Sequence, residues 1–376
     1  MMKRMHIWGW LCSLLVIAGS SCVKPFEPPA INNPNSYLVV EGVVVPGSDS
    51  SSITLSRSRN LADTTTFLPE NGASVRIVSK IGETYQLQGK GNGRYAGLLN
   101  LPTGQEYQLK ITTNFGSQYE SDFEPVVATP PIDSVTWKQD GDVTIFVHTR
   151  DPQNKTRFYR WEYIETWEYH SYYESIIGYE NNALFYLDSS QKKFACWDSA
   201  FSNTVILGAS EKLAEDVIND QPVTTVPIGS DKISVRYSIL VKQFGLTSKA
   251  FNFWQEIKQN GTSVGGLFDP LPSQLIGNIR CISNPAEPVI GYFSMATVQN
   301  KRIYILNNQV INWKGKNYDE LCVPRITTAD SAIYFLWDPN LAPAYYVSGG
   351  GLAISNVFCV DCTLQGGINR KPGYWP

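Results

Sequence analysis

The stretch Phe158-Tyr-Arg-Trp-Glu-Tyr-Ile-Glu-Thr-Trp-Glu-Tyr-His170 alternates by residue type. Tyr159, Trp161, Tyr163, Trp167 and Tyr169 hold odd positions; Arg160, Glu162, Thr166, Glu168 and His170 hold even ones. Alternate side chains of a β-strand share a face, so this reads as one long strand with an aromatic stripe on one side and a polar row on the other. Two readings of the stripe compete. It is a core face packed by a helix, since rings burying ~150–250 Å² each dominate cores, or it is an exposed platform for sugar rings or a protein partner. The core reading takes precedence and moves the search for ligand contacts to the loop that follows. There Tyr172, Tyr173 and Tyr179 are the candidate ligand- or partner-binding residues, because loops on a rigid scaffold carry function more often than sheets do.

Upstream, Tyr37-Leu-Val-Val-Glu-Gly-Val-Val-Val45 is a β-branched run closed by Pro46-Gly47, and Ala73-Ser-Val-Arg-Ile-Val78 and Tyr107-Gln-Leu-Lys-Ile111 alternate. Short strands separated by turn signals predict an Ig-like or transthyretin-like β-sandwich over residues 36–130. Pro130-Pro131 cannot continue a ladder and marks the start of a larger β-rich α+β domain, 131–376. Within it Ile233, Val235, Tyr237, Ile239 and Val241 alternate as a second long strand. Leu213 with Val217, and Ala214 with Ile218, predict a short amphipathic helix over 211–218. Thr247 or Ser248 caps a helix over 248–260 that Gly261 stops. Its face of Ala250, Phe251, Trp254 and Ile257 is expected on the sheet, against the aromatic stripe. Residues 332–337 read as a further strand. The predicted class is mainly β with a few short helices.

The first residues speak of location. Lys3 and Arg4 precede an apolar run, Ile7 to Ile17, far short of the ~20 residues a membrane-spanning helix needs. Ala18-Gly19-Ser20-Ser21 and then Cys22 follow, so residues 1–21 read as a cleaved lipoprotein leader and Cys22 as the acylated mature N-terminus. Ordinary cleavage after Ser20 is the alternative. Acyl chains contribute ~0.8 kcal/mol per buried CH₂. Residues 22–35, with Pro25, Pro28, Pro29 and Pro34, read as a stiff extended tether.

The net charge is −3 and no basic block occurs, which argues against a nucleic-acid partner. Beyond Cys22 lie Cys196, Cys281, Cys322, Cys359 and Cys362. An exported context favours structural disulfides for these. Sequence does not fix the pairing; the working assignment is Cys196 with Cys281, and Cys322 with Cys359 or Cys362. Cys359-Val-Asp-Cys362 has metal-like spacing but no His nearby to complete four ligands, so neither a metal nor a cofactor is expected. Gly261-Thr-Ser-Val-Gly265 spells a nucleophile elbow, but that motif needs a strand before it and a helix after, and here a helix precedes. No catalytic set emerges, and the expectation is a non-catalytic protein. A hydrolase working through paired carboxylates stands last among the readings.

Several longer motifs belong together: Cys22-Val-Lys-Pro-Phe-Glu-Pro-Pro29, Tyr37-Leu-Val-Val-Glu-Gly42, Tyr159-Arg-Trp-Glu-Tyr163, Arg236-Tyr-Ser-Ile-Leu-Val-Lys-Gln243, Phe268-Asp-Pro-Leu-Pro-Ser273, and Cys359-Val-Asp-Cys-Thr363 with Lys371-Pro-Gly-Tyr-Trp375. In these the chain resembles, over nearly its whole length, the Bacteroidota outer-membrane lipoprotein family known as domain of unknown function 4249. The resemblance implies an outer-membrane, lipid-anchored accessory partner of a TonB-dependent receptor, in nutrient capture or receptor assembly, with the membrane face left open. It transfers no catalytic residue. A stand-alone surface glycan-binding or adhesion protein is the alternative, and its sequence support is the loop from Tyr172 to Tyr179.

Overall fold

In the computed structural model, residues 37–47, 50–58, 68–102, 104–262 and 277–376 are described. The leader, Cys22, the tether and the Phe268–Ser273 motif lie outside them. Alternation builds the first sheet from β1 (Leu38–Val43), β2 (Ser50–Arg57), β3 (Ser74–Ser79), β4 (Thr84–Gly89), β5 (Arg94–Leu98), β6 (Glu106–Thr112), β7 (Gln118–Ser121) and β8 (Glu124–Val127). Val75 and Ile77 of β3, and Tyr107, Leu109 and Ile111 of β6, point inward and are buried. The order is β7-β6-β3-β4-β5-β2-β1, with β8 also on β6. Chain from far downstream extends the sheet at its flanks. Ile279–Cys281 pairs with β7, Ile290–Gly291 runs parallel to β1, and Met295–Ala296 runs parallel to β8. Because one stretch supplies these flanking strands, the sheet curls toward a closed barrel around Leu38, Ile53, Leu55, Ile77, Tyr119 and Phe293. The chain thus returns across Pro130-Pro131, and Tyr37–Pro376 forms one compact unit.

The next strands are β9 (Ile132–Asp140), β10 (Asp142–Asp151), β11 (Phe158–His170), β12 (Ile177–Glu180), β13 (Ala183–Tyr186), β14 (Ala195–Phe201), β15 (Ile206–Ala209), β16 (Asp216–Val226) and β17 (Arg236–Leu246). Helix α1 (Ser248–Thr262) follows, then β18 (Ile279–Cys281), β19 (Ile290–Gly291), β20 (Met295–Ala296) and β21 (Val298–Leu306). The chain ends with β22 (Arg325–Thr328), helix α2 (Ala329–Phe335), β23 (Leu341–Val347) and β24 (Gly351–Asn356). The protein is therefore mainly β. Strand β11 is the spine of a sheet ordered β14-β11-β17-β21, with β15 on the same edge of β11 as β14. A three-stranded sheet, β16-β10-β9, covers one face of it. Between the two lie Val143, Ile145, Val147, Tyr159, Trp161, Tyr163, Tyr237, Ile239 and Val241, the interdigitated core of two packed sheets. Near the C-terminus β22-β24-β23 form a small sheet.

Four expectations are corrected. Residues 211–218 are not a helix: β16 begins at Asp216, and Val217 and Ile218 pair with Arg150 and Thr149. Leu213, which would anchor the apolar face, is 53% exposed, so there is nothing for such a helix to bury. Residues 332–337 fall largely in a helix, α2, not a strand; Thr328 caps it by accepting from the Ser331 amide, 3.3 Å. Helix α1 starts as expected, with Thr247 Oγ1 accepting from the Ala250 amide, 3.2 Å, but runs on to Thr262. It does not pack on the aromatic stripe. Phe251 meets Phe158, ring centroids 4.9 Å apart, and Ala250 and Phe253 pack with Leu246 and Tyr292. Phe158 is an even residue, so α1 sits on the face opposite Tyr159 and Trp161.

The cysteine pairing is corrected in one half: Cys196 does not bond Cys281, whereas Cys322 bonds Cys359, one of its two expected partners. The disulfides are Cys196–Cys362 and Cys322–Cys359, and Cys281 is a buried free thiol. Cys281 belongs to β18 in the first sheet, opposite Tyr119, whereas Cys196 lies on β14, opposite Tyr169. The two cysteines therefore belong to different sheets.

Candidate functional site

The odd face of β11 is closed. Trp161 Nε1 donates to Gln243 Oε1 at 2.8 Å, and Gln243 Nε2 donates on to Pro130 O and Thr149 Oγ1. Tyr159 donates to Asp216 Oδ2 at 2.5 Å, and Ser210 donates to the other oxygen of that carboxylate. On β17, Tyr237 donates to Glu165 Oε1 at 2.6 Å, and Lys232 Nζ reaches Glu165 Oε2 at 2.5 Å. Burial first and these carboxylates second push the Tyr159 and Tyr237 phenols far above their ordinary pKa. Tyr159, Trp161 and Tyr237, buried with their polar tips engaged, are core, not platform.

The three loop tyrosines separate. Tyr172 and Tyr173 meet edge to face, 4.8 Å between ring centroids, and Tyr173 stacks toward Tyr345 at 5.3 Å. Tyr172 is 43% exposed and donates to Asp319 Oδ1 at 2.7 Å; Tyr173 donates to Cys322 O at 2.6 Å. Tyr186 and Tyr346 form a further exposed pair at 6.1 Å. Tyr179 is elsewhere, packed half-buried against the small cluster of Ile177, Leu352 and Ile354. The structure therefore brings two of the three together, and adds Tyr345.

Over Arg160 to Ile164 the even face of β11 floors a cleft of about 860 Å³. Two rows of side chains cross this floor, because residues paired across strands share a face. Arg160, Phe244 and Val298 form one row, and Glu162, Lys242 and Asn300 the other. The facing wall is Glu41, Val43, Val45, Ser50 and Ser52, with Arg94; Phe201 to Val205 and Trp254 of α1 close the ends. Gly208 shows how tightly the odd side is filled by comparison: a Cβ there would come within 2.7 Å of the Trp161 ring.

Arg160 dominates this cleft. It is only 7% exposed, and its guanidinium lies 4.3 Å from the Trp254 ring centroid and 5.4 Å from that of Phe244, a desolvated cation–π arrangement. Burial lowers its pKa below the usual arginine value, with Glu162 opposing. Nη2 donates to Glu162 Oε1 at 2.6 Å, while Nε is sealed from solvent and has no acceptor among the described residues. Trp254 Nε1 is likewise buried without one. Among the described residues no group of His, Cys, Asp and Glu is arranged to hold a metal. The two carboxylates of the cleft sit on different sheets, and Glu162 is engaged by Arg160. The chemistry on offer is recognition: apolar walls, three cations, two anions and unspent N–H donors.

Sequence reading missed Arg160, Lys242, Phe244 and Trp254 as a group. The available signal was an arginine set between two buried rings of one strand, a position where a charge is costly without a reason.

In class this is a mainly β protein with a large cleft floored by charged and apolar side chains. The family described as domain of unknown function (DUF4249) matches residues 23–302, and the chain belongs to it. No curated protein matches the sequence. Among solved structures, a crystal structure from Corynebacterium diphtheriae whose title describes a membrane anchored protein matches with 10% identity and a TM-score of 0.18, covering 70% of this chain and 62% of that one.

Proposed function

We propose that this protein is a lipid-anchored outer-membrane accessory protein of a Bacteroidota cell, without catalytic activity of its own, that binds beside a TonB-dependent receptor. The carrying observation is the leader: a basic start, a short apolar run, small residues and Cys22, with the family match opening at the next residue. Residues 22–35 then act as the tether. Among the described residues no helix is long and apolar enough to cross a membrane, so in this reading acyl chains on Cys22 supply the attachment. The curled first sheet is read as a relative of Ig-like and transthyretin-like sandwiches, modified by the three downstream strands. Mass spectrometry of the mature N-terminus is the direct test, and a diacylated or triacylated Cys22 is the expected result. An unmodified serine terminus on a freely soluble protein overturns the reading. Co-purification from outer membrane in mild detergent tests the partnership, and a TonB-dependent receptor is the expected companion.

The tyrosine cluster favours a second reading, a stand-alone glycan-binding or adhesion protein. Exposed Tyr172 beside Tyr173 and Tyr345 offers stacking faces with polar tips. Binding to a glycan array that is lost in the double variant Tyr172→Ala, Tyr173→Ala supports it; an unchanged array profile removes it.

A further inference from the structure

We propose that the cleft over the even face of β11 binds a carboxylate carried on an apolar body, with Arg160 as the anchoring residue. This deepens the binding reading above and rests on it.

Arginine has five N–H donors, and among the described residues Arg160 meets one acceptor, Glu162. A buried donor left unpaired costs ~1–3 kcal/mol, and here two stand together, Arg160 Nε and Trp254 Nε1, on side chains stacked at 4.3 Å. Both residues line the cleft. Lys242 stands directly across from Glu162 on the same floor and has no ion pair among the described residues. Glu162 is thus one carboxylate between two cations, and the floor retains a positive charge after that pairing. Planar, bidentate recognition of carboxylate is what a guanidinium does best. Beside this charge the cleft carries an apolar patch of Phe244, Val298, Val43 and Val45, with Phe201 at the rim. A hydrophilic oxyanion would leave those walls wet, whereas an acid with an aromatic or aliphatic body uses both halves. Trp254 gives way as the acid enters, because its indole covers the guanidinium and is itself short of an acceptor. The ligand oxygen then takes the donors that the closed stack leaves unspent.

The experiment is calorimetric titration of the full-length protein in mild detergent, with benzoate and 4-phenylbutyrate as probes against benzamide, 4-phenylbutyramide and inorganic phosphate. The acids are expected to bind at least tenfold tighter than their amides, and to weaken as salt is raised. Arg160→Gln should lose at least tenfold in acid affinity. Lys242→Ala, a change at a half-buried floor position, should lose about threefold while keeping the fold, and so covers the case in which Arg160→Gln does not fold. Equal binding of acid and amide overturns the proposal, as does phosphate binding tighter than benzoate, no binding of any acid, or acid affinity indifferent to both variants. The outer-membrane reading fails separately. An unlipidated Cys22 or a lone protein in the co-purification leaves acid binding intact, whereas a lipidated, receptor-associated protein blind to acids sinks this inference alone.

Discussion

The two faces of β11 are built from the same strand and end in opposite states. On the odd face Trp161 and Tyr159 are fully buried and each polar tip has a partner: Gln243 for the indole, Asp216 for the phenol. On the even face Arg160 is nearly as buried, yet among the described residues its Nε and the neighbouring Trp254 Nε1 have no acceptor. The difference lies in what covers each side. A sheet, β16-β10-β9, seals the odd face with interlocking Val143, Ile145 and Val147. The even face receives α1 at one end and the C-terminal Tyr374 and Trp375, which bond Thr166 and Glu168, further along; the stretch from Arg160 to Ile164 is left as cleft. Satisfied donors mark where the fold is spending its polar groups on itself. Unsatisfied donors at a cavity wall have no such use among the described residues, and the proposed acid would supply one.

The largest effect should come from Trp161→Ala. It removes a fully buried indole, opens a cavity and strips Gln243 of its donor, so a loss of about 3–5 kcal/mol is expected in denaturant unfolding. A loss under ~1 kcal/mol would break the claim that the odd face is core. Tyr237→Phe comes next. It deletes a hydrogen bond to the buried Glu165 carboxylate, and bonds to charged groups contribute ~1.5–3 kcal/mol. This phenol also predicts a pH dependence. Its folded pKa is raised by burial and then by Glu165, so the neutral form is favoured in the folded state. The stability it contributes is complete below the ordinary tyrosine value of about 10. It drains away as the pH climbs above that value toward the raised one. The native protein should lose stability steeply in that alkaline range, and Tyr237→Phe should lose it less steeply. Parallel curves would refute the assignment.

The alternation of Phe158 to His170 and of Ile233 to Val241 was legible because period two is a local property of the chain. The first became β11, and the second from Arg236 onward became β17 beside it, whereas Ile233 lies in a 3-10 turn before that strand begins. What covers each face was not legible. Ala250, Phe251 and Trp254 make a good apolar helix face, but nothing local says whether it meets Trp161 or Phe158 and Arg160. The 211–218 pattern failed for the same reason, since Leu213 finds no surface to bury on. Thr328 with Ser331 was a readable cap that the β-like composition of 332–337 obscured. Disulfides are decided by which sheets the cysteines join, and Cys281 joined the first sheet by pairing with Tyr119 across some 160 residues of chain. The cleft draws on β1, β2, β11, β17, α1 and β21, so it exists only once the topology does.

Gly208→Ala probes the fit of the odd face on a finer scale. The new methyl would press within 2.7 Å of the Trp161 ring, and overpacking of this kind costs ~1–3 kcal/mol. The Trp161 to Gln243 bond would lengthen or break as the indole shifts. Protection of that indole N–H from hydrogen exchange should therefore fall along with stability. A variant as stable as the parent, with the indole still protected, would mean that the ring has room the comparison denies it.

The smallest stability effect is expected where the comparison is sharpest, in matched Trp→Phe changes on the two faces. Trp161→Phe and Trp254→Phe remove the same atoms, so the chemistry of the deletion is shared. The first also deletes a donor that Gln243 is using, and leaves a buried amide oxygen without it. The second deletes a donor that nothing among the described residues uses. Losing an unpaired buried donor relieves its desolvation cost, which offsets part of the lost packing. Trp254→Phe should therefore cost under ~1 kcal/mol, and Trp161→Phe should exceed it by ~1–3 kcal/mol in the same denaturant titration. Trp254 is also only half-buried, so its packing loss is the smaller of the two and works in the same direction. Equal costs would mean that the two indoles are equivalent parts of one core, and the even face would then lose its standing as a surface that holds donors in reserve.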